Sequence, residues 1–283
     1  MTTPTIRTLT PAEVLTAVDW AAAEGWNPGL ADATAFLAQD RDAFFGLFLG
    51  DELASIISAT RYAGGFHFVG FYICRPDLRG RGLGLAVWQA AFAGLEGTVG
   101  LDGVVAQQHN YARSGFVLAH RNVRHGGVAA AGPEDARVVD IAAADRDAVA
   151  ALDRACFGFA RPDFLAVWLA PPQVRAQGGR ALAFVADGQV KGVAVVRRCR
   201  TGFRIGPLFA DDAEAAGALF SACIRTAAGE AVFIDVPEPN AAAMAMAAAA
   251  GLVPVFETAR MYRGPAPDLP LVRIYGITSL ELG

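Results

Sequence analysis

Apolar residues are concentrated in three short runs in the first half of the chain. The runs 44–49, 53–62 and 66–74 are separated by Gly50-Asp51 and by Gly64-Gly65, dipeptides that are typical of tight turns. This pattern predicts three consecutive strands that are joined as antiparallel hairpins.

A glycine-rich turn and a helix follow the third strand. Large apolar residues at 85, 88, 92 and 95 recur at the spacing of a buried helix face. The turn before them reads Arg79-Gly80-Arg81-Gly82-Leu83-Gly84. Glycines let a backbone approach a ligand closely, and the first amides of a helix lack partners within the helix and favour negative charge. The stretch therefore predicts an anion site, with a plain connecting turn as the alternative.

The other elements of the first half are predicted on either side of this stretch. A helix starts at Thr10-Pro11-Ala12-Glu13, because Thr caps it, Pro suits its first position and Glu reaches back to the cap. Glycine, alanine and proline without periodicity over 126–135 predict a linker. The remaining elements are a strand over 5–9, a second helix over about 31–39, a strand over 98–102, a short helix over 107–114 and a strand over 116–123.

The second half repeats this order and predicts a second copy of the same unit. Leu101-Asp102 matches Ile234-Asp235, and Gly115-Phe116-Val117 matches Gly251-Leu252-Val253. The fold class is therefore α/β (α+β), with two units that each form a mixed, mostly antiparallel twisted sheet flanked by helices. The predicted strands of the second half are 138–141, 181–186, 190–197, 203–209, 232–235, 252–261 and a final one over 272–282, and its predicted helices are 145–156, 162–169, 213–227 and 240–250.

Composition agrees with a globular chain of two domains. The 283 residues exceed what one core usually holds, and 54% are hydrophobic against 18% charged. A net charge of −4 without a basic block argues against nucleic acid as a partner. Neither a membrane-spanning run nor a signal peptide is visible, so we expect a cytoplasmic protein without membrane contact. The four cysteines are scattered, which predicts neither a disulfide framework nor a metal site.

The first half resembles the GNAT superfamily of acyl-CoA-dependent N-acyltransferases. Two segments carry the match: Arg79 to Gly84 is similar to the family's R-x-x-G-x-G, and Tyr111 to Phe116 to its Y-x-x-x-G-F. The resemblance by motif covers about residues 5–125, and the internal repeat extends it to the rest of the chain. A Rossmann dinucleotide site is the other alternative, since Asp102 lies 20 residues past Gly82. That fingerprint requires G-x-G-x-x-G, however, and position 85 is Leu.

The resemblance implies a tandem GNAT protein with a degenerate second copy. Residues 1–127 would be the catalytic domain, 128–136 a linker, and 137–283 a structural or acceptor-shaping domain. The implied reaction is transfer of an acetyl group from acetyl-CoA to a primary amine of a small molecule in a ternary complex. The alternative is a non-catalytic acyl-CoA-binding sensor. We expect a monomer or a homodimer.

The resemblance also implies where acetyl-CoA binds. Its pyrophosphate would lie on the amides of Gly80, Gly82, Leu83 and Gly84, with Arg79 and Arg81 as counter-charges. Its pantetheine arm would follow the predicted third strand at Phe71, Tyr72, Ile73 and Cys74. The thioester would then lie near the ends of strands 71–74 and 99–102.

Tyr111 and Asp102 are the predicted catalytic residues. A phenol near the sulfur can protonate the leaving thiolate, and a carboxylate at the end of a strand can accept a proton from the amine. The alternatives are that Tyr111 packs the short helix on the sheet, and that Asp102 caps a turn while water is the base.

The acceptor is expected to contact the turn between the first two helices and the residues beside the thioester. The predicted acceptor-binding residues are Trp26, Asn27, Asp32, Gln107 and Gln108.

The second copy lacks both chemical elements of the first. At the position of the glycine-rich turn it reads Ala210-Asp211-Asp212-Ala213-Glu214, where Asp211 and Glu214 form a helix-start signal. These carboxylates would repel a pyrophosphate. The counterpart of Tyr111, four residues before Gly251, is Ala247. We therefore expect one acyl-CoA site per chain.

Overall fold

The structure is a computed structural model that describes residues 3–170 and 175–283. Its helices, α1 to α8, are Pro11–Ala23, Asp32–Gln39, Leu83–Phe92, Gln108–Arg113, Arg146–Phe157, Pro162–Trp168, Ala213–Ala227 and Ala241–Ala249. Its strands, β1 to β13, are Pro4–Thr8, Phe44–Leu49, Glu52–Tyr62, Phe66–Cys74, Thr98–Val104, Val117–Gly127, Val138–Asp140, Arg180–Ala186, Gln189–Arg198, Phe203–Ala210, Val232–Pro237, Val253–Arg263 and Ile274–Gly276.

The elements follow the same order in both halves, as the repeat predicted. Each half runs strand, two helices, three strands, helix, strand, helix, strand. The predicted start of α1 is confirmed, because the Thr10 side chain accepts a hydrogen bond from the Glu13 amide and the Glu13 carboxylate accepts one from the Thr10 amide. The fold is therefore a tandem repeat of a mixed, mostly antiparallel sheet flanked by helices.

One continuous sheet joins the two halves by exchanging their last strands. Its order is β1-β2-β3-β4-β5-β12-β6-β11-β10-β9-β8-β7 over the described residues. Strand β12 of the second half pairs with β5 of the first, and β6 of the first half pairs with β11 of the second. One of the hydrophobic clusters accordingly contains residues of α1 and α2 together with residues of α5 and α6.

The strand exchange corrects the start of the segment 126–135, which its composition predicted to be a linker. Gly126 and Gly127 belong to β6, and they pair with Phe233 and Val232 of β11. Two glycines stay extended here because β6 is flanked by a strand on each side. The predicted division into functional domains stays a prediction.

Strands β4 and β5 pair only at their beginnings and then diverge. Their parallel register ends at Val69 opposite Leu101. Just beyond that point β4 is irregular, since Phe71 has a φ of 48° and the register with β3 shifts between Ile56 and Ser58. A bulge of this kind bends a strand away from its neighbour, so the edges of β4 and β5 open into a gap.

The corresponding gap in the second half is filled by the chain itself. Strands β10 and β11 pair in parallel only up to Ile205 opposite Ile234, and β13 then pairs antiparallel with β10. The predicted final strand over 272–282 is therefore wrong in extent, because only Ile274–Gly276 is a strand. Residues 277–283 leave the sheet and are buried.

Candidate functional site

A cavity of about 480 Å³ occupies the gap between β4 and β5. The start of α3, the turn before it and the short helix α4 form its other walls. Most of the residues predicted from the sequence meet here. They are Trp26, Phe71, Tyr72, Ile73, Cys74, Arg79, Gly80, Gly82, Leu83, Gly84, Asp102, Gln107 and Tyr111.

The glycine-rich turn presents unpaired amides to this cavity. Gly80 and Gly82 have φ angles of +77° and +80°, a left-handed conformation that side chains rarely adopt. Gly82 is the N-cap of α3 and contributes no side-chain cap. No atom within 4 Å would meet a Cβ at either glycine, so the space in front of the turn is open. These features fit a phosphate group, because the first amides of the helix can bind it.

The two arginines of the turn differ in position. The Nε of Arg79 donates to the Cys74 carbonyl at 3.0 Å, and its guanidinium is paired with Glu24, the residue that follows α1. Arg79 is thus already neutralised at the edge of the cavity. Arg81 is exposed and does not line the cavity. The roles of both as counter-charges stay predictions.

The open edge of β4 supplies hydrogen-bonding backbone over residues 70–74. These residues lie beyond the last pair with β5, so their outer amides and carbonyls have no strand partner on that side. An extended molecule with amide groups can pair with such an edge, as an added strand does. The edge therefore fits the amide-containing arm of CoA.

Tyr111 lies on α4 with its ring packed into the cavity wall. The ring stacks on Trp88 at a centroid distance of 5.8 Å, and a Cβ at Gly103 of β5 would lie 2.2 Å from it. Gly103 is therefore what allows Tyr111 to approach the sheet this closely. Burial raises the pKa of the Tyr111 phenol well above its ordinary value of 10, so the group keeps its proton at neutral pH.

Asp102 lies in the cavity wall at the diverging end of β5. Its oxygens accept hydrogen bonds from the Nε and Nη2 atoms of Arg260 at 2.8 and 2.6 Å and from Nδ2 of Asn122 at 2.8 Å. Burial raises the pKa of Asp102, and the guanidinium of Arg260 opposes that shift. The carboxylate is thus held by two side chains, and its role as base stays a prediction.

Three predicted acceptor residues lie outside this cavity. The Asn27 side chain donates to the Thr201 carbonyl and accepts from its amide, both at 2.9 Å, so it joins the two halves. Asp32 is 1% exposed and accepts two hydrogen bonds from Arg197. Gln108 starts α4 and does not line the cavity. The structure thus gives Asn27 and Asp32 bonds between the two halves of the chain.

Several cavity residues were not predicted because they come from the second half. Phe256 and Thr258 reach the cavity on β12, and Leu280 and Glu281 reach it on the segment after β13. No local pattern marks these positions, since strand exchange and the path of residues 277–283 bring them here.

In the described part of the second half, the chain itself occupies the place that corresponds to the cavity. Strand β13 occupies the gap between β10 and β11, and the Ile277 amide donates to the Asp235 carbonyl at 2.9 Å. The helix cap is Asp212, not Asp211 as predicted, because the Asp212 side chain accepts from the Ala215 amide. Asp211 instead pairs with Arg273. The Tyr111 counterpart, Ala247, is fully buried in α8.

Within residues 3–170 and 175–283, no three His, Cys, Asp or Glu side chains cluster in a way that would hold a metal ion. Over the same residues, no helix has the length and apolar character that crossing a membrane requires.

Comparison with known proteins agrees with this geometry. The model of an acetyltransferase (GNAT) domain matches residues 149–276. A holothin acyltransferase from Pseudoalteromonas sp. (strain SANK 73390) is 32% identical over 270 residues, which are 94% of this chain and 90% of that protein.

Solved structures share the fold over nearly the whole chain. A putative acetyltransferase from Pyrococcus horikoshii has a TM-score of 0.83 at 22% identity, over 99% of this chain and 96% of that one. A tandem GNAT protein from the clavulanic acid biosynthesis pathway has a TM-score of 0.62 at 15% identity, over 93% of this chain and 100% of that one. The chain therefore belongs to the GNAT family and is an acyltransferase built from two tandem copies of that fold.

Proposed function

We propose that the protein transfers an acetyl group from acetyl-CoA to a primary amine of a small molecule. One observation carries the proposal: a single cavity brings together the uncapped glycine-rich turn, the open edge of β4 and the buried phenol of Tyr111. The first two fit the phosphate and amide groups of CoA, and the third fits the departure of a thiolate.

The glycine-rich turn, the edge of β4 and Tyr111 have different roles in this proposal. The amides of Gly82, Leu83 and Gly84 bind the pyrophosphate, and the edge of Phe71–Cys74 orients the pantetheine arm. The acyl thioester, when bound, supplies the electrophilic carbon. Tyr111 donates its proton to the sulfur as the C–S bond breaks, because a phenol is protonated at neutral pH and the departing thiolate can accept that proton.

The acceptor enters from the side of the cavity that Trp26, Gln107, Phe256 and Thr258 line. The similarity to a holothin acyltransferase supports a small-molecule acceptor over a protein. In this proposal residues 137–283 shape the acceptor side and residues 1–127 hold acetyl-CoA, because β12 and the segment after β13 reach the cavity from the second half.

The proposal predicts that purified protein releases free thiol from acetyl-CoA with at least one member of a panel of primary amines. The Tyr111→Phe variant should bind acetyl-CoA with unchanged affinity in calorimetry, while its turnover falls about tenfold or more, since a general acid contributes at least that much. Thiol release measured with a colorimetric reagent checks both expectations.

Two results would contradict the proposal in different ways. Tight acetyl-CoA binding without thiol release on any amine would favour a non-catalytic acyl-CoA sensor. Full turnover in Tyr111→Phe would remove Tyr111 from the acid role and leave the transfer reaction standing.

A further inference from the structure

Glu281 is a buried carboxylate in the wall of the cavity that accepts no hydrogen bond. Its side chain is 2% exposed, and within the described part of the chain neither Oε1 nor Oε2 has a hydrogen-bond partner. The nearest counter-charge is Nη1 of Arg204, at 3.8 Å from Oε1, which is beyond hydrogen-bond distance. Buried polar atoms are almost always bonded, so this carboxylate calls for an explanation.

The neighbouring buried carboxylates are all engaged. Asp32, Asp102 and Asp235 each accept two hydrogen bonds from the guanidinium of one arginine. Glu281 differs from these three because neither of its carboxylate oxygens accepts a hydrogen bond within the described residues. Asp102 and Glu281 both line the cavity, and of these two only Glu281 has a carboxylate that no side chain holds.

The path of the chain places Glu281 where β4 and β5 begin to diverge. A Cβ at Gly70 would lie 2.3 Å from the carbonyl oxygen of Glu281, so the absence of a side chain at Gly70 lets the segment pack there. Gly70 directly follows Val69, the last residue of β4 that pairs with β5. The backbone of Glu281 thus lies at the inner end of the gap that forms the cavity.

We propose that Glu281 is the general base that accepts a proton from the ammonium group of the acceptor, directly or through one water molecule. The proposal rests on the proposed function. The ammonium gives one proton to the Glu281 carboxylate, and the free amine then forms the C–N bond as the C–S bond breaks. Tyr111 gives its proton to the sulfur, and the second proton lost by the nitrogen restores Tyr111. Glu281 releases its proton to solvent after the products leave.

The electrostatic surroundings support a base at this position. Burial raises the pKa of Glu281 above its ordinary value, and the nearby arginines oppose the shift without cancelling it. A carboxylate with a raised pKa is a stronger base than an exposed one. The charged and titratable groups around it are Arg204 on β10, Arg124 on β6, Arg197 on β9 and Asp32 on α2, with Glu24, Asp102 and Tyr111 in the same cavity wall.

The test measures thiol release by Glu281→Gln between pH 6 and pH 10, with acetyl-CoA and the best amine of the panel. We expect kcat/KM at neutral pH to fall by about 100-fold or more, the usual contribution of a general base. We also expect it to rise about tenfold per pH unit up to the pKa of the amine, because only the free amine then reacts. The affinity for acetyl-CoA should not change.

The control is Glu257→Gln, which removes an exposed carboxylate of β12 that is paired with Arg121. It should keep the wild-type pH profile. If Glu281→Gln does not fold, as judged by circular dichroism, Glu281→Asp replaces it. That variant keeps the carboxylate and should retain the wild-type slope with pH at a reduced rate.

Three results would overturn the proposal. Glu281→Gln with wild-type turnover, or with a lower rate but a parallel pH profile, would overturn the role of Glu281 while leaving the proposed function intact. The role of Glu281 would also be overturned if kcat/KM of Glu281→Asp rose about tenfold per pH unit, as is expected when only the free amine reacts. A wild-type enzyme that releases no thiol with any amine would overturn the proposed function, and the role of Glu281 with it.

Discussion

Asp102 and Arg260 form a buried ion pair although 158 residues separate them in the chain. The register of β12 with β5 places Arg260 directly opposite Asp102, where the side chains are 6% and 0% exposed. Removing two charges from water costs several kcal/mol, which the pair offsets only while both partners are present. This ion pair thus connects β5, in the cavity wall of the first half, with β12 of the second half.

This pairing predicts a large cost for the Arg260→Met variant. The free energy of unfolding in urea should fall by about 3–5 kcal/mol at neutral pH, because Asp102 is left charged and unpaired. The double variant with Asp102→Asn should regain much of that loss.

An exposed pair offers the matched control for this measurement. Arg121→Met breaks the pair with Glu257, whose side chain is 48% exposed, and should cost no more than about 1 kcal/mol. An Arg260→Met variant as stable as this control would contradict the interpretation of the buried pair.

At the scale of elements, the strand-turn-helix unit occurs twice. The two copies differ in whether a side chain caps the first amides of the helix. In the first half α3 begins at Gly82 without a side-chain cap, and in the second half Asp212 caps α7. The Asp212 carboxylate already accepts a hydrogen bond from the Ala215 amide at the start of α7, and its negative charge opposes an anion there. We therefore expect the first unit, and not the second, to bind an anion.

The first unit yields a prediction with an internal control. Gly82→Ala should weaken acetyl-CoA binding by about tenfold or more in calorimetry, equivalent to at least about 1.4 kcal/mol, because a methyl group would strain the turn and stand before its amides. Gly94→Ala lies after α3, outside the cavity, with a similar φ of +84° and equally open space. It should lose comparable stability and keep its affinity. Equal affinities in both variants would contradict the pyrophosphate site.

At the scale of the whole molecule, neither half is complete without the other. If the residues before and after 128–136 were produced as separate proteins, β5 would lack β12 and β6 would lack β11. The hydrophobic core that α1, α2, α5 and α6 share would also be divided. Residues 274–283 connect the two gaps in the sheet. Strand β13 fills the gap of the second half, and the segment after β13 brings Glu281 to the gap of the first.

This arrangement predicts one acetyl-CoA per chain. Isothermal titration calorimetry should give a stoichiometry of one, because β13 occupies the second gap and Asp212 caps the second helix. The Gly82→Ala variant should weaken this single binding event without revealing another. A stoichiometry of two would show that the second half also binds and would contradict the assignment of a single site.

The amino-acid sequence by itself determined the order of the helices and strands and the local geometry of the glycine-rich turn. Thr10 and Glu13 cap α1 across three residues, and the glycines at 80, 82 and 84 act within one turn. Such signals are predictable because the interacting groups are neighbours in the chain. The repeat and the loss of the motif in the second copy are visible for the same reason.

Only the tertiary structure decided which distant residues complete the site. Strand exchange brings Arg260 to Asp102, and packing against Gly70 brings Glu281 to the cavity. A contact between α2 and β9 makes Asp32, an expected acceptor residue, a buried partner of Arg197. These contacts form between segments that are far apart in the chain, where the pairing of strands depends on the whole sheet and leaves no local periodicity to read.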